Sequence, residues 1–153
     1  MKRLICILLA LLLLGMTAWA EFPEQWLPDL LTEHGYEAEL RGLTKTGGVH
    51  VAVSLPPEEE PCMLHIFTDP EQGKARLVVY DVHLYAMEAE MPLLRVLNEI
   101  NSAYMYTRFY ALDGSVMCEM NLFLPDGEAA GAMVLSAIDL VSGMLEEVRP
   151  LLQ

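Results

Sequence analysis

The stretch LLRVLNEINSAYMYTRFYALDGSVMCEMNLFLPDG, residues 93–127, decides the fold because it joins a helix directly to a β-hairpin. Apolar residues recur every three to four positions over residues 91–104, which predicts a helix. Residues 105–112 and 115–124 are then predicted to be strands. They flank Asp113-Gly114, a dipeptide that favours a tight hairpin turn because both of its residues tolerate a positive φ.

Upstream of this stretch, short segments alternate apolar and polar residues, a pattern typical of half-buried strands. Turn signals at Thr46-Gly47-Gly48 and in the DPEQG segment separate them, so we predict an antiparallel meander with a polar outer face. A short helix precedes the meander and ends at Gly35. The predicted bounds are 23–34 for the helix and 36–41, 49–55, 62–68 and 74–85 for the strands.

The chain closes with a predicted helix over residues 127–149, capped by Asp126 and ended by Pro150. It is apolar nearly all round, since Met133, Leu135, Leu140 and Met144 lie away from its main apolar stripe. We therefore expect two faces that need cover, which favours a partner or a second copy of the chain.

Together these segments predict an α+β fold of order α-β-β-β-β-α-β-β-α. An antiparallel sheet would carry its helices on one face. Residues 21–153 fit a single domain by size.

Residues 1–20, MKRLICILLALLLLGMTAWA, have the form of a secretory signal peptide. Lys2 and Arg3 precede an apolar run that ends on Ala18-Trp19-Ala20, so we expect cleavage between Ala20 and Glu21. The mature chain would then be periplasmic or secreted, with no membrane attachment. The alternative is a membrane anchor formed by an uncleaved leader, because the run approaches the length of a spanning helix.

The charge of the chain excludes several partners. After loss of the leader, seven basic residues remain against 22 acidic ones, a net charge of −15. Nucleic acids and anionic lipid surfaces would be repelled, because both are bound by clustered Lys and Arg. A basic protein partner stays open.

Two cysteines remain in the mature chain, Cys62 and Cys118. Both occupy apolar positions of predicted strands, where a buried thiol acts as a small hydrophobic residue. The alternative is a disulfide between them, which an exported protein can keep and which requires Cα atoms within about 7 Å.

Histidines suggest a metal site, but their spacing opposes one. His50, His65 and His83 share the outward side of three predicted strands. Turns centred near residues 58 and 72 would place His50 opposite Phe67 and His65 opposite Val79, leaving His83 roughly 13 Å away. Only His50 and His65 can meet, diagonally, so a two-ligand site is the alternative to ordinary surface histidines. We expect no metal or cofactor.

The sequence carries no catalytic signature. A general acid would need a carboxyl with a raised pKa in a closed pocket. The paired carboxylates instead fall on predicted loops or helix flanks, namely residues 58–60, Glu88 with Glu90, and Glu146-Glu147. Ser115 lacks the G-x-S-x-G pattern of a nucleophile elbow. We therefore expect that this chain is not an enzyme.

Three polar residues of the helix–hairpin junction are candidate contacts. Asn98 and Asn101 lie on an otherwise apolar helix, where a half-buried Asn can satisfy backbone groups or contact a partner. Arg108 lies among Tyr106, Phe109 and Tyr110, which favours ring stacking or an internal ion pair over substrate binding. The ten methionines also suit an adaptable binding surface, and core filling is the alternative role for any single one of them.

The same junction carries a family resemblance. Leu94, Leu97, Asn98 and Asn101 form an L-x-x-L-N-x-x-N pattern that is followed by an R-F-Y strand at residues 108–110. This resembles the YbjN domain family of bacterial sensory transduction regulators. The resemblance implies a fold similar to type III secretion chaperones, a tendency to dimerise and a regulatory or protein-binding role, and it brings no catalytic residues. The leader departs from chaperones of that type, which act before export.

The functional prediction is an exported, non-enzymatic protein-binding or regulatory module, homodimeric, with its contacts on the terminal helix and the hairpin of residues 105–124. One alternative is a small metal-dependent or hydrolytic envelope enzyme that would use His50 or His65. A structural component of the envelope is the other.

Overall fold

The computed structural model describes residues 23–55, 62–86, 90–125 and 127–153. The predicted leader with its Ala20–Glu21 junction, the acidic run at 58–60, Glu88 and the capping residue Asp126 lie outside these ranges.

Three α-helices and six β-strands occupy the described residues, in the predicted order, with ends that differ from the predicted ones by a few residues. A short 3₁₀ turn, Arg149–Leu151, extends the last helix. The elements are α1 (Trp26–Glu33), β1 (Ala38–Leu43), β2 (Val49–Leu55), β3 (Cys62–Asp69), β4 (Lys74–Leu84), α2 (Glu90–Ala103), β5 (Thr107–Leu112), β6 (Ser115–Phe123) and α3 (Glu128–Val148).

All six strands form one antiparallel sheet of order β1-β2-β3-β4-β6-β5. The first four strands are the predicted meander. After β4 the chain crosses through α2 and returns as the edge strand β5, and β6 then fills the place between β5 and β4. The hairpin turn is also as predicted, with φ of 51° at Asp113 and 83° at Gly114.

The core lies between one face of this sheet and the three helices. Alternate residues of each inner strand point into it, because successive side chains of a strand face opposite sides. The α+β class and the placement of the helices on one face are confirmed. Core residues from the sheet include Val51, Val53, Leu64, Ile66, Leu77, Val79, Phe109, Cys118 and Met120, and those from the helices include Leu27, Leu31, Leu97, Ile100, Val134, Ile138, Val141 and Val148.

The expectation of two uncovered faces on α3 holds only in part. Met144 is buried and Leu135 packs against the core, so only Met133 and Leu140 remain as exposed large apolar residues of this helix. Neighbouring elements cover the helix from the side: Gly131 lies against the Leu30 side chain of α1, and the Thr107 hydroxyl of β5 donates to the Met144 sulfur. By length and composition the segment Glu128–Leu151 could cross a bilayer, but its buried residues pack on the sheet as those of a core helix do.

The alternative disulfide is absent, since Cys62 and Cys118 are both free, buried thiols. Cys62 lies on β3 and Cys118 on β6, with β4 between them. Two strand spacings put their backbones about 9.6 Å apart, beyond the reach of a disulfide.

We predict that Gly48→Ala destabilises the protein because a Cβ at this position would lie 2.0 Å from the Thr68 carbonyl oxygen, which is fixed backbone. Overpacking of this kind costs about 2–3 kcal/mol in the free energy of unfolding, measurable by urea denaturation. Gly143→Ala is the matched control, because nothing lies within 4 Å of its would-be Cβ. It should raise the free energy of unfolding by about 0.5–1 kcal/mol, since Gly143 is within a helix. Equal effects of the two substitutions would contradict the close approach at Gly48.

Candidate interaction surface

The side of the sheet opposite the helices, called here the open face, is less polar than predicted. Ala52, Val78 and Met117 are buried on it although they lie outside the helix-covered core. Larger side chains lie beside them in the sheet: His65 is paired with both Ala52 and Val78, and Tyr110 is paired with Met117. The prediction of a polar outer face is therefore correct only in part, because an apolar and aromatic layer lies on this face beside its polar side chains.

His50 and His65 meet at the centre of that layer. The Nε2 of His50 lies 2.9 Å from the Nδ1 of His65, a hydrogen-bonding distance. His50 faces Phe67 in the sheet, as predicted, whereas His65 pairs with Val78 and not with Val79. The sequence-based register was thus wrong by one residue, and His83 lies one residue further along its strand from this pair than expected.

Both imidazoles favour the neutral form. Burial lowers the pKa of His50, and the positive charge of Arg41 lowers it further. The pKa of His65 is lowered first by burial and then by repulsion from His50 and Arg41. Two neutral rings can share one hydrogen bond, with one nitrogen donating and the other accepting.

A second polar cluster lies on β4, β5 and β6 of the same face. The Nη2 of Arg76 donates to the Oε2 of Glu119 over 2.7 Å, and the hydroxyl of Tyr110 donates to the same oxygen over 3.3 Å. Asn121 donates to the other carboxylate oxygen. Burial alone would raise the pKa of Glu119, but the hydrogen bonds from Arg76, Asn121 and Tyr110 and the charge of Arg76 outweigh it and lower that pKa. Glu119 is therefore an ionised carboxylate that holds this cluster together through its hydrogen bonds, and it does not act as a general acid.

Arg108 borders an open cavity of about 710 Å³ beside this cluster. The predicted ring stacking or ion pair of Arg108 is not found among the described residues, and its side chain is exposed. The cavity can accept an external polar or charged group. Its lining residues are Met105, Tyr106, Thr107, Arg108, Tyr110, Glu119 and Asn121.

Met105 and Tyr106 form a ridge, called here the Met105–Tyr106 ridge, where the chain passes from α2 into β5. They are 84% and 73% exposed, unusually high for an apolar residue and an aromatic residue side by side. On its other side the ridge borders a second cavity of about 260 Å³, lined also by Leu140 and Met144 of α3. The ridge therefore separates a polar cavity from an apolar one.

Asn101 fixes the strand that follows this ridge. Its Nδ2 donates to the Phe109 carbonyl oxygen over 2.8 Å, and its Oδ1 accepts from the Phe109 backbone N–H over 2.7 Å. The carboxamide thus occupies the hydrogen-bonding place of a neighbouring strand along the edge strand β5. Asn98, one turn earlier, has an exposed side chain, and its backbone carbonyl accepts a hydrogen bond from the Ser102 hydroxyl.

The described residues offer little for covalent chemistry. Burial raises the pKa of the Cys118 thiol to about 12 and also raises that of Cys62, so both stay protonated. No group of three or more His, Cys, Asp or Glu side chains that could hold a metal ion occurs in the described ranges.

Asn101, Arg108 and the His50–His65 pair were candidates on sequence grounds, whereas the pairing of Arg76 with Glu119 and the exposure of Met105 and Tyr106 were not predicted. Cross-strand pairing of β4 with β6 brings Arg76 and Glu119 together, and those strands are separated by a helix and another strand along the chain. The available signal was opposite charge at outward positions of both strands.

We predict that Asn101→Ala lowers the free energy of unfolding by about 1–3 kcal/mol because the Phe109 N–H and carbonyl both lose a partner. Asn98→Ala is the matched control on the same helix and should change it by less than about 0.5 kcal/mol. Chemical denaturation of both variants measures the difference. Equal stabilities of the two variants would contradict the bridging role of Asn101.

Three comparisons with known proteins bear on identity. No curated protein matches the chain. A solved structure described as YbjN, "a putative transcription regulator from E. coli", is similar, with 15% identity, a TM-score of 0.49, and coverage of 81% of this chain and 89% of that one. The family model YbjN, described as "Putative bacterial sensory transduction regulator", matches residues 23–153. The chain therefore belongs to the YbjN family.

Proposed function

We propose that this chain is an exported, non-enzymatic module that regulates another protein by binding it. Its membership of a family of regulators supports the regulatory part of the proposal. The export part rests on the leader pattern of residues 1–20 and its expected cleavage between Ala20 and Glu21. The binding part rests on the surface around the β5–β6 hairpin.

The Met105–Tyr106 ridge is the observation that carries the binding role. A protruding Met and Tyr provide a flexible thioether and an amphipathic ring, both of which are enriched in protein interfaces. Leu140 of α3 is 48% exposed on the neighbouring cavity, so apolar surface continues from the hairpin onto the terminal helix. These are the two elements from which contacts are expected on sequence grounds.

The partner of this surface is proposed to be a protein with basic groups. The net charge of −13 for the whole chain repels nucleic acid and anionic lipid and attracts a cationic surface. Tyr104 donates to Glu147 next to the apolar cavity, so a carboxylate lies at its margin. A homodimer is the second part of this proposal, and its contact would use the same apolar surface.

A binding role accounts for the polar clusters better than catalysis does. The carboxylate of Glu119 is held by Arg76, Tyr110 and Asn121, which satisfies its oxygens and leaves no base to abstract a proton. The two thiols are buried and protonated. Neither feature supports a hydrolytic envelope enzyme.

Site-specific photocrosslinking in intact cells tests the proposal. With a photoreactive residue in place of Tyr106, we expect one discrete adduct in the envelope or medium fraction, because the ridge lies in the contact. The same residue in place of Lys45, which is exposed in the turn after the opposite edge strand, is the matched control and should give none. The mass of the adduct distinguishes a second copy of the chain from a different protein.

Two results would contradict the proposal. Equal crosslinking from positions 106 and 45 would show that the ridge is not a specific contact. Recovery of the protein from the cytosol with residues 1–20 intact would remove its exported part.

A further inference from the structure

We propose that the open cavity beside Arg108 binds an acidic sugar, meaning a pyranose ring that carries one carboxylate, and that Arg108 binds this carboxylate. The cavity lies on the polar side of the Met105–Tyr106 ridge, whereas the proposed protein contact continues from the ridge toward Leu140 on its apolar side. The inference therefore concerns a second site with a ligand of its own.

The charge around this cavity is opposite in sign to that of the whole chain. Glu119 lies directly opposite Arg108 in the β5–β6 pairing, yet its Oε2 is bonded to Arg76 of β4 at 2.7 Å. Arg108 takes part in neither of the two ion pairs found among the described residues. Two arginines thus accompany one carboxylate in a chain of net charge −13. This local excess of positive charge attracts an anion and repels a further cation.

The guanidinium of Arg108 suits a carboxylate better than a phosphate. Its N–H donors lie in a plane and match the two oxygens of a carboxylate in a pair of parallel hydrogen bonds. A phosphate monoester carries close to two negative charges at neutral pH. Only one positive charge is in excess here, so Glu119 and the rest of the acidic chain would repel the second charge of a phosphate. A single carboxylate balances the site.

The other lining residues match a ring with several hydroxyl groups. Tyr106 and Asn121 are exposed, and their hydroxyl and carboxamide groups both donate and accept hydrogen bonds, as sugar hydroxyls do. Tyr106 and Tyr110 add aromatic surface, on which the C–H side of a pyranose ring can pack. The volume of about 710 Å³ lies within the range of about 300–1,000 Å³ that is typical of small-molecule sites. A small inorganic anion would leave most of this volume to water.

The side chains of the site are ordered before a ligand binds. The Oε2 of Glu119 accepts from the Tyr110 hydroxyl over 3.3 Å, and its Oε1 accepts from the Asn121 carboxamide over 2.9 Å. The hydrogen bonds of Asn101 fix the backbone of β5 next to Arg108. Binding therefore costs little additional side-chain and backbone entropy.

Titration of the purified ¹⁵N-labelled protein with three disaccharides, followed by NMR, tests the site. Cellobiouronic acid, cellobiose and cellobiose 6′-phosphate differ only in the group at carbon 6 of the non-reducing ring. We expect cellobiouronic acid to bind with a dissociation constant of about 1 mM or lower, and the other two at least about tenfold more weakly. The shifted backbone amides should lie in residues 105–110 and 119–121.

Three arginine variants test the role of Arg108. Arg108→Gln should weaken the binding of cellobiouronic acid by at least about tenfold, because the charged hydrogen bonds to the carboxylate are lost. Arg108→Lys should lie between the two, since it keeps the charge and loses the planar pair of donors. Arg95→Gln is the matched control, an exposed arginine of α2 outside the cavity lining, and should bind as the parent does. Thermal unfolding without ligand verifies that all three variants fold.

Parent-like affinity of Arg108→Gln would overturn the proposal, and so would equal binding of cellobiose or tighter binding of cellobiose 6′-phosphate. Absence of shifts at about 10 mM cellobiouronic acid would overturn it as well. Photocrosslinking from position 106 to a protein is a separate measurement, so failure of the sugar site is distinguishable from failure of the protein-binding role.

Discussion

One-sided packing is the constraint on which the rest of this structure depends. Three helices bury one face of a six-stranded sheet, and the other face must shield its own small apolar residues. The stacked rings of His50 and Phe67, with Tyr80 beside His65, do so above Ala52 and Val78. Such a cover is thin, so the side chains that shield this face are also the ones that meet whatever approaches it.

The helix–hairpin junction, where α2 leads into β5, carries the most exposed apolar surface of this fold. Asn101 bridges α2 to the backbone of Phe109, which fixes the edge strand β5 and supplies the hydrogen bonds that another strand would otherwise make there. Met105 and Tyr106 lie between α2 and this strand and are strongly exposed. The side chain that holds the edge strand and the candidate contact therefore lie at the same junction.

Much of the fold could be predicted because local patterns determine it. The spacing of apolar residues and the residue types in the turns were sufficient to predict all nine helices and strands of the described residues. They also predicted the positive φ values at Asp113 and Gly114. Features that depend on strand order could not be predicted. The insertion of β6 beside β4 separates Cys62 from Cys118 and pairs Arg76 with Glu119. Lateral cover of α3 likewise depends on where Leu30 of α1 packs.

The central claim is that the face opposite the helices stays open to solvent, and hydroxyl-radical footprinting of the isolated chain measures this directly. Two aromatic residues of this sheet allow the comparison. Phe109, in the helix-covered core, is 1% exposed, and Tyr80, on the open face, is 40% exposed. The account predicts that Tyr80 and Phe67 are oxidised far faster than Phe109. Oxidation of Tyr80 and Phe67 as slow as that of Phe109 would contradict it, because another part of the chain or a second copy would then cover that face.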